Sequence, residues 1–537
     1  MSHPSRRSFL GGSAAAGATA LLTRAGAPAQ AQPSSAPISV LAEDPRYPDL
    51  VRGANLRWVG SPDRVHLADS ADSVVAALRS AVRAGERVAV RSGGHCYEGF
   101  VTDPAVRTVI DLSGLSVVTY DRDHRAFSIA PGATLGDVYR TLFKKWGVTV
   151  PGGSCPSVGA GGHIAGGGYG ALARKHGLVV DHLHGVEVVV VDRDRRVRKV
   201  VATRDAGDPN RELWWAHTGG GGGNFGIVTR YLMRTPGVSS DNPSDLLPKP
   251  PSRLLVANVT WPWADFTPET FARLVRNYCS WHERNSAPDS PCTGLFSQLK
   301  LFHRSAGTNL LVAQVDADDP RAHDLLAAFL AEINEGVGTV PGGPAMKVNE
   351  RRELPWLHAV CTWPGFAGLD ATQRFKDKSA YLRRGFSDVQ IAALHRRLVD
   401  PDFGNPASLL LMAGYGGQVN TVAPSATAVP QRDSILKLQY LSFWHDEADD
   451  PANLDWVRSL YREVHADTGG VPAPDGAITD GCFVNYADAD LGDPALNTSG
   501  VPWHRLYYKD NYPRLQRAKA AWDPLGVFRH AQSVELP

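Results

Sequence analysis

Pro151-Gly-Gly-Ser-Cys155-Pro-Ser-Val-Gly-Ala-Gly-Gly-His163-Ile-Ala-Gly-Gly-Gly-Tyr169-Gly170 is the most informative stretch of the chain. Glycine turns let backbone N–H groups approach an anion closely, which suits a pyrophosphate. Two more clusters share this character: Arg91-Ser92-Gly93-Gly94-His95-Cys96-Tyr97-Glu98-Gly99 and Thr218-Gly-Gly-Gly221-Gly-Gly-Asn224-Phe-Gly226-Ile227-Val228. Any one of them reads as a tight turn between strands. Three together read as a cradle. Gly166-Gly-Gly168-Tyr-Gly-Ala171 also fits the G-x-G-x-x-A dinucleotide pattern. No clean hydrophobic strand leads into it and no ribose-binding acid follows at the expected spacing, so that match is accidental.

Around these clusters the hydrophobic spacing alternates between two periods. Asp69 to Ala84 and Leu135 to Trp146 read as helices. Residues 87–91, 108–112, 126–129, 186–191 and 197–201 read as strands, after a lead-in segment over 39–60. This α+β or α/β region closes near Met233, and residues 237–252, rich in Pro, Ser and Asp, form a linker or long loop. Beyond it, strands are expected at 254–260, 295–302, 309–315 and 409–415, and helices at Thr267–Asn285, Ala322–Glu335 and Asp388–Val399. These describe a second α+β domain that covers a substrate.

The chain has 537 residues, 43% hydrophobic and 21% charged, an ordinary globular balance with material for two to four domains. Lys and Arg total 56 against 55 acids, with no basic stripe, which argues against nucleic acid as a partner. Ser5-Arg6-Arg7-Ser8-Phe9-Leu10 is a twin-arginine pattern. An uncharged stretch to Thr23 and A-x-A sites ending at Ala29 and Ala31 follow it, so residues 1–31 read as an export signal. That stretch is too short and Gly-rich for a membrane span, so the mature form is expected to be secreted and free of the membrane. Among the six cysteines no CxxC pair occurs, which disfavours zinc, while Cys279 and Cys292 are close enough to bridge across a loop. His182-Leu-His184 alternates like a metal pair but has no third ligand and reads as turn residues. Lys376-Asp-Lys378-Ser-Ala-Tyr381 reads as a solvated helix start, with Tyr381 a candidate for lining a cleft. No metal is expected, and the oligomeric state is left open.

The set R-S-G-G-H, G-x-C-P-x-V-G-x-G-G-H and G-G-G-G-N-F-G resembles the berberine-bridge-enzyme-like FAD oxidases of the vanillyl-alcohol-oxidase fold. Val484-Asn485-Tyr486-Ala-Asp488, Trp503, Tyr507-Tyr508-Lys-Asp-Asn511-Tyr512 and Asp523-Pro524 to Phe528 complete the likeness, which covers essentially the whole mature chain. The resemblance implies a two-domain α+β fold. An FAD-binding domain would span 40–235, a substrate domain 236–480, and a closing segment 481–537 would return to the FAD domain. It implies FAD held covalently twice, through the 8α-methyl at His95 and through C6 at Cys155. Arg91, Ser92, Gly93, Gly94, Gly99, Gly152, Gly153, Ser154, Gly159, Gly162, Gly166, Gly168, Gly221, Asn224, Gly226, Ile227, Val228 and Asn485 would complete the cofactor site. His163 would bond the ribityl chain.

The resemblance further implies alcohol oxidation with O2 as acceptor and H2O2 as product. Tyr486 would be the base, Tyr415 its hydrogen-bonding partner, and Tyr169 would stand near the flavin edge. A phenol with a pKa of about 10 is a poor base unless its surroundings favour phenolate. Phe483 replaces the first tyrosine of the family's Tyr-x-Asn-Tyr motif, which argues against a small, richly hydroxylated sugar. Gln418 stands near where carbon–carbon-bond-forming relatives keep an acidic base and cannot serve as one. The expected substrate is therefore a bulky glycosylated or polyketide-type natural product. A carbohydrate oxidase making lactones and a secreted flavin-carrying binding protein are the rival readings.

Overall fold

Ser70 accepts the Ser73 N–H and Ser73 answers to the Ser70 N–H, so the first long helix begins at Ala71 and runs to Ala84. The expected start at Asp69 lies two residues early, because Ser70 is the cap and not the first turn. Gly85, at φ 68°, ends that helix in the left-handed conformation that favours glycine. Thr134 and Gly147 bound the next helix, Leu135–Trp146, in the same way. The computed structural model describes residues 37–337, 345–362 and 372–537. The expected signal over 1–31 lies outside them.

Three sheets organise these residues. The first is four-stranded, in the order Ile38–Leu41, Arg64–Leu67, Thr108–Asp111, Val88–Arg91, and its last three strands are parallel. The second is five-stranded and antiparallel, in the order Val118–Asp121, Ala126–Ile129, Ile227–Met233, Leu183–Val191, Val197–Thr203. Val74, Leu78 and Ala81 of the capped helix fill the space between them, against Ile110 on one side and Val189 and Ile227 on the other.

The third sheet is seven-stranded and antiparallel. Its order is Lys347–Pro355, Arg253–Pro262, Thr308–Asp316, Leu295–Phe302, Ser408–Gly414, Leu436–Trp444, Arg374–Leu382. Strand side chains alternate faces. Leu295, Leu299 and Leu301 join a core with the helices Pro268–Arg284, Ala322–Ile333, Asp388–Leu398 and Asp450–Val464. Phe296, Gln298, Lys300 and Phe302 turn the other way, into a cavity. The carboxyl-terminal residues return to the first sheet, where Phe528 bridges Val88. The result is the expected two-domain α+β fold.

The polar run at 376–381 is a strand, not a helix start, and it is buried. Lys376 Nζ donates to Glu98 Oε1 at 2.6 Å and to Asp488 Oδ1 at 2.7 Å; Lys378 Nζ donates to Asp488 Oδ2 at 2.6 Å. These ion pairs let a charged sequence lie inside. They also join the loop after His95, the large sheet and the closing segment. Cys279 and Cys292 do not bridge, and none of the six cysteines forms a disulfide. His182 bonds Thr235 and the His176 carbonyl, while His184 faces Arg234, so neither is placed as a metal ligand.

Candidate active site

The three glycine clusters meet around one cavity of about 730 Å³, within the usual range for cofactor and ligand sites of about 300–1,000 Å³. Gly93 makes the meeting possible. A Cβ on it would stand 2.8 Å from Gly159 Cα, so the two loops lie backbone on backbone. Gly162 and Gly222 have no neighbour within 4 Å of the Cβ position, which leaves open space on that side of each.

Most of the residues expected at a cofactor line this cavity. They are Arg91, Ser92, Gly93, Gly94, His95, Gly153, Ser154, Cys155, Gly159, Gly162, His163, Tyr169, Gly221, Asn224, Gly226, Ile227, Val228, Asn485 and Tyr486. Gly99, Gly152, Gly166 and Gly168 do not. They stand behind the wall, where a side chain would strike Trp58, the Tyr139 hydroxyl, Asn485 and Val179 respectively. Several polar side chains in the wall serve the scaffold. Arg91 Nη1 donates to the Leu50 carbonyl at 2.5 Å and Ser92 Oγ to the Pro131 carbonyl at 2.6 Å. Asn224 donates to the Gly220 carbonyl at 2.9 Å and accepts the Val534 N–H at 2.8 Å.

His95 and Cys155 reach the cavity from two different loops. His95 Nδ1 is enclosed without a hydrogen-bond partner. Burial first, and then the Arg91 charge, lower its pKa and favour a neutral imidazole. His163 Nε2 accepts the Gly153 N–H at 3.1 Å, which leaves Nδ1 for any ligand. Burial pushes the His163 pKa down to about 3, so this ring is also neutral.

The tyrosines are arranged differently from expectation. Tyr415 lies outside the cavity wall, and its hydroxyl donates to the Gln431 carbonyl at 3.1 Å. The partner of Tyr486 is Lys437, whose Nζ lies 2.9 Å from the phenol oxygen. That nitrogen sits over three rings, 3.7 Å from the centroid of Tyr169, 4.2 Å from Tyr486 and 4.3 Å from Phe483. Burial holds the Lys437 pKa well below its ordinary value, opposed by Asp377. Burial likewise holds the Tyr486 phenol well above its own, with help from Tyr97 and Asp377. Burial thus favours the uncharged form of both the phenol and the amine. Phe483, the departure from the tyrosine motif, supplies an apolar face to this amine. Tyr381 is fully buried behind Tyr415, ring centroids 5.0 Å apart, and does not line the cleft. Gln418 donates to the Pro288 carbonyl, away from the cavity.

Sequence reasoning missed Lys437, Gln439 and Tyr97. Tyr97 stacks on Tyr486 at 5.5 Å and 3°, and Gln439 donates to Asp377 Oδ2 at 2.6 Å. Lys437 and Gln439 share one face of the Leu436–Trp444 strand, so the signal was Lys-x-Gln alternation, readable only once that strand is known.

Glycine backbone lining the cavity for a pyrophosphate, and the half-buried His95 imidazole with one nitrogen to spare near the Cys155 thiol, fit FAD. Comparison with known proteins agrees. The family "FAD binding domain" matches residues 62–196 and "Berberine and berberine like" matches 482–535. Aclacinomycin-N/aclacinomycin-A oxidase of Streptomyces galilaeus is 52% identical over 99% of this chain and 98% of its own. This chain belongs to the berberine-like FAD-linked oxidases. Hexose oxidase of Chondrus crispus is 35% identical to this berberine-like oxidase, over 91% of this chain and 93% of its own. The crystal structure of glycopeptide hexose oxidase with teicoplanin superposes with a TM-score of 0.88 at 49% identity, covering 93% of this chain and 99% of that one. The fold is that of the vanillyl-alcohol-oxidase flavoenzymes. The twin-arginine signal family matches residues 3–23, so this oxidase is exported by that route. No described helix is long and apolar enough to cross a membrane.

Proposed function

We propose that this oxidase converts a hydroxyl of a bulky glycosylated or polyketide-type natural product to a carbonyl, with O2 as acceptor and H2O2 as product. The observation that carries the reading is Tyr486 in the wall of the cavity that His95 and Cys155 also line, with the Lys437 amine behind it, 2.9 Å from the phenol oxygen. Residues 40–235 with 481–537 are read as the FAD domain, and 236–480 as the substrate domain. His95 and Cys155 hold the FAD covalently, and the glycine loops present backbone N–H groups to its pyrophosphate. When bound, FAD supplies the acceptor for the hydride leaving the carbinol carbon and passes two electrons to O2.

The proton is the business of the chain. Tyr486 takes the substrate's hydroxyl proton as its own proton moves 2.9 Å to the Lys437 amine. No phenolate has to pre-exist. Burial favours the uncharged amine as acceptor, and the faces of Tyr169, Phe483 and Tyr486 stabilise the ammonium as it forms. Tyr169 is pinned by its hydroxyl, which donates to the Gly414 carbonyl. His163 stays neutral and orients through Nδ1.

The large sheet supplies a broad, mostly apolar wall, with Gln298, Lys300 and Gln439 its polar members. Phe302, Leu409, Leu411, Leu441 and Phe443 cover the cavity face of the large sheet, a surface for an aglycone rather than a free sugar. The related aclacinomycin oxidase and glycopeptide hexose oxidase support this choice. Oxygen uptake with aclacinomycin A and teicoplanin, against glucose and galactose, tests it. Uptake with a large glycoside and stoichiometric peroxide is expected. Uptake with the free sugars alone would establish the carbohydrate-oxidase reading, and flavin that no substrate reduces would establish a binding protein.

A further inference from the structure

His95 and Cys155 come from different loops, yet both touch one hydroxyl. Ser157 Oγ lies 3.1 Å from His95 Nε2 and 3.3 Å from Cys155 Sγ. The backbone contact between the loops sets this up, because the Ser157 carbonyl stands only 3.2 Å from the Cβ position of Gly93, two residues before His95. The other imidazole nitrogen, Nδ1, is enclosed and has no partner.

A serine hydroxyl carries one hydrogen and two lone pairs. It can accept the His95 Nε2–H and, in the same orientation, donate its hydrogen to the Cys155 sulfur. Accepting fixes the tautomer whose lone pair sits on Nδ1. Donating stabilises the thiolate, which is the nucleophilic form of cysteine. The lowered pKa of His95 agrees, since an imidazolium would have no lone pair to offer.

We propose that Ser157 is a positioning residue for flavin attachment, one hydroxyl that prepares both nucleophiles. The inference rests on attachment at His95 and Cys155. At His95 an N–C bond forms at Nδ1 while a methyl C–H bond breaks. The methyl proton and the Nε2 proton leave, the latter by way of Ser157, and two electrons reduce one O2 to H2O2. At Cys155 an S–C bond replaces a ring C–H bond. The thiol and ring protons leave, and two electrons reduce a second O2. The oxidant is the one this oxidase already uses.

The test is a time course of acid-stable flavin in full-length chains expressed as Ser157→Ala and Ser157→Thr, with peptide mapping of both residues. Ser157 is exposed, so the fold and the total bound FAD should be unchanged. A hydrogen bond to a charged group is worth roughly tenfold or more in a rate that depends on it. Ser157→Ala should therefore slow attachment at both residues by about tenfold or more, and Ser157→Thr should restore it. Attachment by Ser157→Ala at the parent rate, or slowing at one residue alone, would overturn the shared role. Release of all flavin by acid from the unaltered chain would overturn the attachment reading, and this assignment with it.

Discussion

The phenol oxygen of Tyr486, half-buried in the cavity wall, lies 2.9 Å from the buried amine of Lys437. Burial moves their pKa values in opposite directions, up for the phenol and down for the ammonium, because each charged form loses its water. That relationship resolves the difficulty of a tyrosine base. In the proposed mechanism the phenol relays a proton, and the amine behind it keeps the proton.

Flavin reduction should accordingly depend on pH through Lys437. A protonated amine cannot accept, so the rate falls in acid and rises as pH climbs through the lysine pKa. Because that pKa is depressed, the midpoint should lie below the ordinary lysine value of about 10.4. Lys437→Met should abolish this limb and lower the plateau. Stopped-flow reduction rates across pH are the measurement, and an unchanged profile in Lys437→Met would remove the amine from the mechanism.

Tyr415 should matter little to chemistry. Its hydroxyl is spent on the Gln431 carbonyl, so Tyr415→Phe should cost about 1 kcal/mol in stability. The reduction rate should stay within a few-fold of the parent. A large loss of rate with an intact fold would return Tyr415 to the catalytic group.

The buried ion cluster makes a claim about stability. The side chains of Lys376 and Asp488 are 2% and 1% exposed. Asp488→Ala takes a partner from both Lys376 and Lys378, and stripping a buried pair of one partner costs about 3–5 kcal/mol. Urea denaturation of the holoenzyme should show a loss of that order, and a change below about 1 kcal/mol would mean that the remaining acids suffice.

The proposed double linkage predicts acid-stable yellow colour with one FAD per chain. His95→Ala and Cys155→Ala should each keep a single covalent bond, while the double variant should release its flavin on denaturation. Mass spectrometry of the denatured chains decides this.

Much of the fold was legible because the relevant physics is local. Thr134 and Gly147 bracket Leu135–Trp146 by capping, and the Leu295–Phe302 strand alternates plainly. Arg374–Leu382 was not legible, since its lysines are neutralised by acids more than a hundred residues away, at 488 and 98. The glycine loops announced their cavity, but not which glycines face it. Gly162 faces open space and Gly166 meets Asn485, a difference made by the fold and not by the residue. Lys437 was hidden for the same reason, as an ordinary lysine in an unrecognised strand.

The proton relay is tested most directly by Tyr486→Phe in stopped flow, with the two half-reactions followed separately. The substitution removes one oxygen, so flavin content and fold should persist. Loss of a positioned proton acceptor should slow flavin reduction by about 10²–10⁴-fold, while reoxidation by O2 remains near the parent rate. Reduction of Tyr486→Phe at the parent rate would contradict the account.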